Sequence, residues 1–215
     1  MSAGRFITIE GIEGAGKSTL AQRLAASMRR QGIPVLLTRE PGGTPLAERL
    51  RAIVLDRGEE RIDSRAETLI MFAARAIHLE NLIKPALASG TWVICDRFTD
   101  ATRAYQGAGR GVSLDFIDQV AAQVHPDLWP HRTLLLDLPV DVGLERVRAR
   151  QGGGDRFEDE NVRFFERVRS HYLLLAAAEP ARVRLLDASG GAEQVASNGW
   201  SALADLLPAV SAGRE

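Results

Sequence analysis

The chain has 215 residues, 45% of them hydrophobic and 26% charged, with a formal net charge of −1 at neutral pH. That size and composition suit a single globular domain spanning residues 1–215, and the near-zero charge excludes a dedicated nucleic-acid binder, which carries a marked basic excess. The single cysteine, Cys95, excludes an intrachain disulfide and fits a reducing compartment. The longest apolar run, Tyr172–Ala178, is far too short to cross a bilayer, and Met1–Arg5 lacks the apolar core of a signal peptide, so the expected setting is the cytoplasm, away from membranes.

Arg5–Glu10 is short, β-branched and bounded by glycine, which predicts a buried strand. Gly11-Ile12-Glu13-Gly14-Ala15-Gly16-Lys17-Ser18, followed by Thr19, matches G-x-x-x-x-G-K-[ST]. Leu20, Leu24 and Met28 then recur at helical spacing over about Lys17–Gln31. Strand, glycine-rich turn and helix is the setting in which backbone N–H groups and a helix N-terminus face a polyphosphate. Lys17 and Lys84 are the only lysines among 27 basic residues, so a compact ammonium stands out at Lys17.

Ile33–Thr38 reads as a second buried strand, and the turn-rich loop Arg39–Pro45 follows its end, where α/β sheets place ligands. Leu46, Leu50, Ile53 and Val54 predict a helix. Asp63-Ser64-x-x-Glu67 reads as a capping box opening another helix, with Leu69, Ile70, Phe72, Ala73 and Ile77 turned inward and Arg75 beside Phe72. Thr91–Asp96 is the third strand. An acid at the tip of such a strand, Asp96, is placed to hold Mg²⁺ together with Ser18. Thr102, Tyr105 and Gln106 fall in a polar, aromatic stretch, Thr99–Gly111, suited to a nucleobase and sugar.

Leu114, Ile117 and Val120–Ala121 mark a helix after Ser113, and Thr133–Leu138 is strand four. A helix over about Val140–Arg150 ends in Arg146, Arg148 and Arg150. The glycines that follow and Arg156 predict a lid over about residues 148–157 that brings guanidinium groups to a transferring phosphate. Val162, Phe165, Val168, Tyr172 and Leu175 line one face of a long helix, Glu158–Glu179. Arg182–Asp187 is strand five, and Gly190–Val210 supplies a loop and a last helix. The four histidines have no ligand spacing and read as structural or surface groups. Strands alternating with helices imply an α/β fold, a five-stranded parallel sheet flanked by helices in three layers.

Taken together, the order Glu10–Ser18, Thr38-Arg39-Glu40-Pro41-Gly42-Gly43-Thr44, Phe72-Ala73-Ala74-Arg75, Asp96-Arg97 and Ala104-Tyr105-Gln106-Gly107 resembles the bacterial thymidylate kinases, a P-loop nucleoside monophosphate kinase family, from Gly4 to about Ala188. The resemblance implies transfer of the ATP γ-phosphoryl group to dTMP with Mg²⁺, in a homodimer built through helices. It implies that Gly11, Ile12, Glu13, Gly14, Ala15, Gly16, Lys17, Ser18 and Thr19 hold ATP, with Arg146 against adenine. It places Glu13, Arg39, Glu40, Arg51, Phe72, Arg75, Arg97, Thr102, Tyr105 and Gln106 around dTMP, with Phe72 stacking on thymine and Tyr105 against C2′. Some members have the stacking phenylalanine four residues before the base-binding arginine, where Met71 stands here. No arginine occupies Ile12–Ala15, so the transition-state cation is expected from the lid, from Arg148, Arg150 or Arg156. Two other readings remain: a P-loop kinase with a different acceptor, and a GTPase switch. Asp187–Gly190 spells D-x-x-G, but no N-K-x-D occurs.

Overall fold

The computed structural model describes residues 4–56, 58, 60–149, 157 and 160–208. Among them, five parallel strands form one sheet: β1 (Phe6–Glu10), β2 (Val35–Arg39), β3 (Trp92–Asp96), β4 (Arg132–Asp137) and β5 (Val183–Asp187), ordered β2-β3-β1-β4-β5. The central strands read as continuous apolar runs because helices cover both faces. β1 is buried along its whole length, whereas β2 lies at an edge and is only half-buried, unlike the buried strand its sequence suggests.

Helices connect the strands: α1 (Lys17–Arg30), α2 (Pro45–Leu55), α3 (Ser64–His78), α4 (Lys84–Ala88), α5 (Thr99–Thr102), α6 (Leu114–Val124), α7 (Val140–Arg148), α8 (Val162–Ala178) and α9 (Ala192–Ser201). α3 runs through a π-helical segment, Leu79–Ile83, into α4, and α5 continues as a π-helix over Arg103–Gly109. The sequence gives little sign of that second segment, since Gly107 and Gly109 are poor helix formers. π-Helical segments are rare and gather at functional sites.

Several apolar helix residues face outward, among them Leu69 and Ala73, expected to turn inward. Leu46 and Ile53 on α2 are 48% and 51% exposed, and Leu69 on α3 is 50% exposed; Ala73, Leu114 and Val162 also face outward. The capping box is also replaced. Asp63 is the N-cap of α3 and accepts from Arg65 N, which frees Glu67 to turn into the interior.

Candidate active site

The site lies where the strand order reverses, at the carboxyl ends of β1 and β3. Ile9 is paired with Asp96, so the loops leaving both strands emerge side by side. The first is the phosphate loop. Gly11, Gly14 and Gly16 all have positive φ, and Gly16 is the N-cap of α1. At Gly14 a side chain is doubly excluded, because a Cβ would stand 2.1 Å from Gly143 O at the start of α7. Lys17 is buried and donates to Ile12 O at 2.9 Å. Burial and the Arg97 guanidinium lower its pKa, against the pull of Asp96, Glu13 and Glu10. Ile12 and Ala15 are buried beneath the loop, and Thr19 is exposed on α1. Ser18 Oγ donates to Asp96 Oδ2 at 3.0 Å.

The second loop carries Arg97, the only non-glycine residue with positive φ among the described residues, at φ 73°. Strain of this kind persists where the surroundings over-determine it. Arg97 N donates to Ile9 O, and its guanidinium donates to Gly11 O at 3.2 Å, Glu13 Oε1 at 2.7 Å and Tyr105 Oη at 2.9 Å. Tyr105 Oη also donates to Glu13 Oε2, and its ring lies 4.4 Å from the guanidinium carbon. Burial alone would raise the Glu13 pKa, but Arg97 and Lys17 hold it below its ordinary value. Beneath this loop Glu10 accepts from Phe98 N and from Tyr172 Oη, each at 2.7 Å.

A cleft of about 470 Å³ runs between the loops, lined by Lys17, Ser18, Arg39, Arg51, Arg97 and Arg146 among others. Arg39 bonds both Glu48 carboxylate oxygens at 3.1 Å, Arg51 donates to Pro41 O, and Arg146 donates to Ala188 O at 3.2 Å. This cleft meets a small cavity of about 70 Å³ lined by Pro41, Leu55, Met71, Ala101, Tyr105, Gln106 and Phe157, with Glu13, Glu40, Arg51 and Arg97 shared between the two.

Arg75 is fixed behind this cavity. Its Nε donates to Glu40 Oε2 at 2.7 Å and its Nη2 to Thr102 Oγ1 at 3.1 Å, with the guanidinium carbon 4.7 Å from the Phe72 ring centroid and 4.9 Å from that of Phe98. Glu40 is held in turn by His78 Nδ1 at 3.1 Å, and His78 Nε2 meets Thr38 Oγ1 at 2.7 Å. Burial would raise the Glu40 pKa, yet Arg75 and His78 keep it lowered. An accepting carboxylate requires the proton on Nδ1. Four buried side-chain polar atoms find no partner among the described residues: Arg110 Nη2 and Arg132 Nε and, beside this cavity, Arg75 Nη1, a donor, and Gln106 Oε1, an acceptor.

Most residues expected at the site converge there, with two corrections. Phe72 does not line the cavity; it is buried against Val112, Ile117 and Ala121, and Met71, one residue before it, lines the cavity instead. Thr102 is buried behind Arg75 as its hydrogen-bond acceptor. Arg148 is exposed at the end of α7, while Arg150, Arg156 and most of the expected lid lie outside the described residues. Met71 was noted only as an alternative to Phe72, and His78 and the inward role of Glu67 went unread, although a signal existed. Glu67, Met71 and Arg75 are spaced four apart and form one stripe along α3, so a charge at both ends marks the middle residue as site-facing.

A sequence profile of the thymidylate kinase family matches residues 9–198. The chain is 55% identical over 204 residues to the thymidylate kinase of Pseudomonas syringae pv. tomato, covering 95% of this chain and 97% of that one. The chain belongs to the thymidylate kinase family. It is also 52% identical over 204 residues to the thymidylate kinase of Teredinibacter turnerae, covering 95% of this chain and 99% of that one. The solved structure of thymidylate kinase from Ehrlichia chaffeensis superposes with a TM-score of 0.76 at 33% identity, over 94% of this chain and 99% of that one. That likeness confirms a parallel α/β P-loop kinase fold.

Proposed function

We propose that the chain transfers the γ-phosphoryl group of ATP to dTMP, forming dTDP and ADP, and that it acts as a single P-loop kinase domain in the cytoplasm. The observation that carries the choice of acceptor is a pair of orphaned atoms, one on Gln106 in the wall of the base cavity and one on Arg75 behind it. Thymine offers an N3–H donor and a 4-oxo acceptor, which match the Gln106 Oε1 acceptor and the Arg75 Nη1 donor. Cytosine offers the reverse at both atoms. Met71, in place of Phe72, packs against the face of the base, and the Tyr105 ring packs against C2′, where a ribose hydroxyl would crowd it.

Phosphoryl transfer needs positioning and charge neutralisation more than covalent help. The loop from Gly11 to Thr19 cradles the ATP phosphates with its amides and with Lys17. Arg97 binds the acceptor phosphate, with Arg39 and Arg51 beside it, while Glu13 fixes the Arg97 fork and faces the deoxyribose. Arg146 borders adenine next to Ala188. The oxygen donors Ser18 and Asp96 fit Mg²⁺, which when bound would neutralise charge on the transferring phosphates. Arg148, Arg150 and Arg156 supply the lid cation, since the loop residues Ile12–Ala15 carry none.

A homodimer built through helices would cover exposed apolar residues of α2 and α3 such as Leu46, Ile53 and Leu69. Among the described residues no helix is long and apolar enough to cross a membrane. The decisive experiment is a panel of nucleoside monophosphates with ATP and Mg²⁺. dTMP should exceed dCMP in kcat/KM by roughly 30-fold or more, given two mismatched buried polar contacts. Equal rates on dTMP and dCMP would refute the assignment.

A further inference from the structure

The Gln106 side chain can read N3–H only if its amide is held one way round, because a rotated amide would present NH₂ in place of the carbonyl. We propose that Glu67 is the positioning residue that sets this orientation and thereby fixes the preference for thymine over cytosine. The inference rests on the dTMP reading given above.

Gln106 is fully buried and lines the base cavity. Its Nε2 donates to Glu67 Oε1 at 2.8 Å, while its Oε1 has no partner among the described residues. The same Glu67 oxygen accepts from Arg110 Nε at 2.8 Å. An oxygen that takes two N–H donors cannot donate, so the amide nitrogen must face Glu67 and the carbonyl must face the cavity. Turning Gln106 over would set two oxygens against each other in a buried site and aim an amide donor at the base. That is the arrangement that would accept the bare N3 of cytosine. Glu67 therefore acts on the base without touching it.

Arg110 completes the device. It also donates to Glu160 Oε1 at 2.8 Å, and its guanidinium carbon lies 5.2 Å from the Phe157 ring centroid. Phe157 itself lines the base cavity. The arginine that holds the Glu67 oxygen in place thus also packs against a second residue lining the same cavity.

Two substitutions separate orientation from simple packing. In Glu67→Gln, Arg110 Nε still demands an acceptor, so the new amide presents its oxygen at the same point and Gln106 keeps its orientation. In Glu67→Met the acceptor is gone and Gln106 can turn. Steady-state kinetics with dTMP and dCMP should show the ratio of their kcat/KM values falling about tenfold or more in Glu67→Met and staying within about twofold of wild type in Glu67→Gln. The KM for ATP should stay unchanged in both. If Glu67→Met strands Arg110 and fails to fold, Glu67→Met/Arg110→Met removes both charges and carries the same expectation.

A folded Glu67→Met or double variant whose base ratio stays at the wild-type value overturns the proposal. So does a Glu67→Gln variant that loses as much discrimination as Glu67→Met. The wild-type ratio tests the dTMP reading separately. If wild type prefers another base, that reading fails, and Glu67 is judged by whether the preference observed collapses in Glu67→Met and survives in Glu67→Gln.

Discussion

Replacing Glu10 with glutamine should stabilise the protein, and the gain should grow with pH. Glu10 is fully buried at the end of β1, and burial, with Asp100 adding to it, raises its pKa from 4.5 to about 8 despite opposing help from Arg97, Tyr172 and Phe98 N. In the unfolded chain the carboxyl ionises near its ordinary value, while the folded chain keeps the proton until about 8. Between those values the folded state binds more protons, so stability falls as pH rises. The slope approaches about 1.4 kcal/mol for each pH unit, and the accumulated cost above the folded pKa is on the order of 3–5 kcal/mol.

Glutamine copies the protonated acid. Its oxygen can accept from Phe98 N and its NH₂ can donate to Tyr172 Oη, with the direction of the tyrosine bond reversed, so both partners of Glu10 stay in contact without a titrating proton. Urea unfolding of wild type and Glu10→Gln from about pH 5 to pH 9 isolates this group, because other titrations cancel in the difference. The difference should be small near pH 5 and favour the variant by about 3 kcal/mol or more at the alkaline end. A flat difference, or a variant that loses ground as pH rises, would show that Glu10 is ionised in the fold.

Three further outcomes follow from the geometry. His78→Leu removes one of the two groups holding Glu40 and should raise the KM for dTMP about tenfold while leaving the KM for ATP within about twofold; His78→Asn, which keeps a donor near the Nδ1 position, should recover most of the loss. Gly14→Ala forces a side chain to 2.1 Å from Gly143 O at a φ of +75°, so thermal unfolding should report a loss of more than about 1 kcal/mol and ATP should bind more weakly. Lys17→Ala should lower kcat by roughly 10²- to 10³-fold with little change in thermal stability; full turnover in that variant would exclude Lys17 from transition-state binding.

The sheet and the phosphate loop were legible because backbone requirements announce themselves in residue type. Apolar runs predict buried strands, and glycines at positive φ are required wherever the loop turns back on itself. Asp96-Arg97 was equally clear, since a charged pair directly after a buried strand has few other uses. Helix faces were harder to read. A single residue step rotates a helix by roughly 100°, and that step separates Met71, on the cavity, from Phe72, in the core. Aromatic character favoured Phe72, while the spacing of Glu67 and Arg75 favoured Met71. Spacing was the better guide, because a buried charge must be turned to where its partner is. The exposed leucines and isoleucine of α2 and α3 misled for the converse reason: amphipathic periodicity reports an apolar face without saying whether the same chain covers it.

The buried charges explain why so much of the site is assembled from pairs. Lys17, Arg75 and Arg97 are three cations in or beside one cleft: Glu40 pairs with Arg75 and Glu13 with Arg97, fixing their directions, while Lys17 is aimed by Ile12 O, with Glu13 and Asp96 near enough to favour its charge. An isolated buried cation would shift its pKa or draw in water, whereas a paired one stays charged and aimed. The pairing is incomplete in a consistent way. Arg75 spends Nε on Glu40 and Nη2 on Thr102 and leaves Nη1 without a partner, while Gln106 spends its NH₂ on Glu67 and leaves its carbonyl unmet among the described residues. Each reading group is thus satisfied on the protein side and open on the ligand side. A wrong base leaves the protein's own orphaned atoms unmet, which costs more than the loss of a favourable contact. On the dTMP reading, specificity is therefore stored in Glu40, Thr102 and Glu67, the residues that stand behind Arg75 and Gln106.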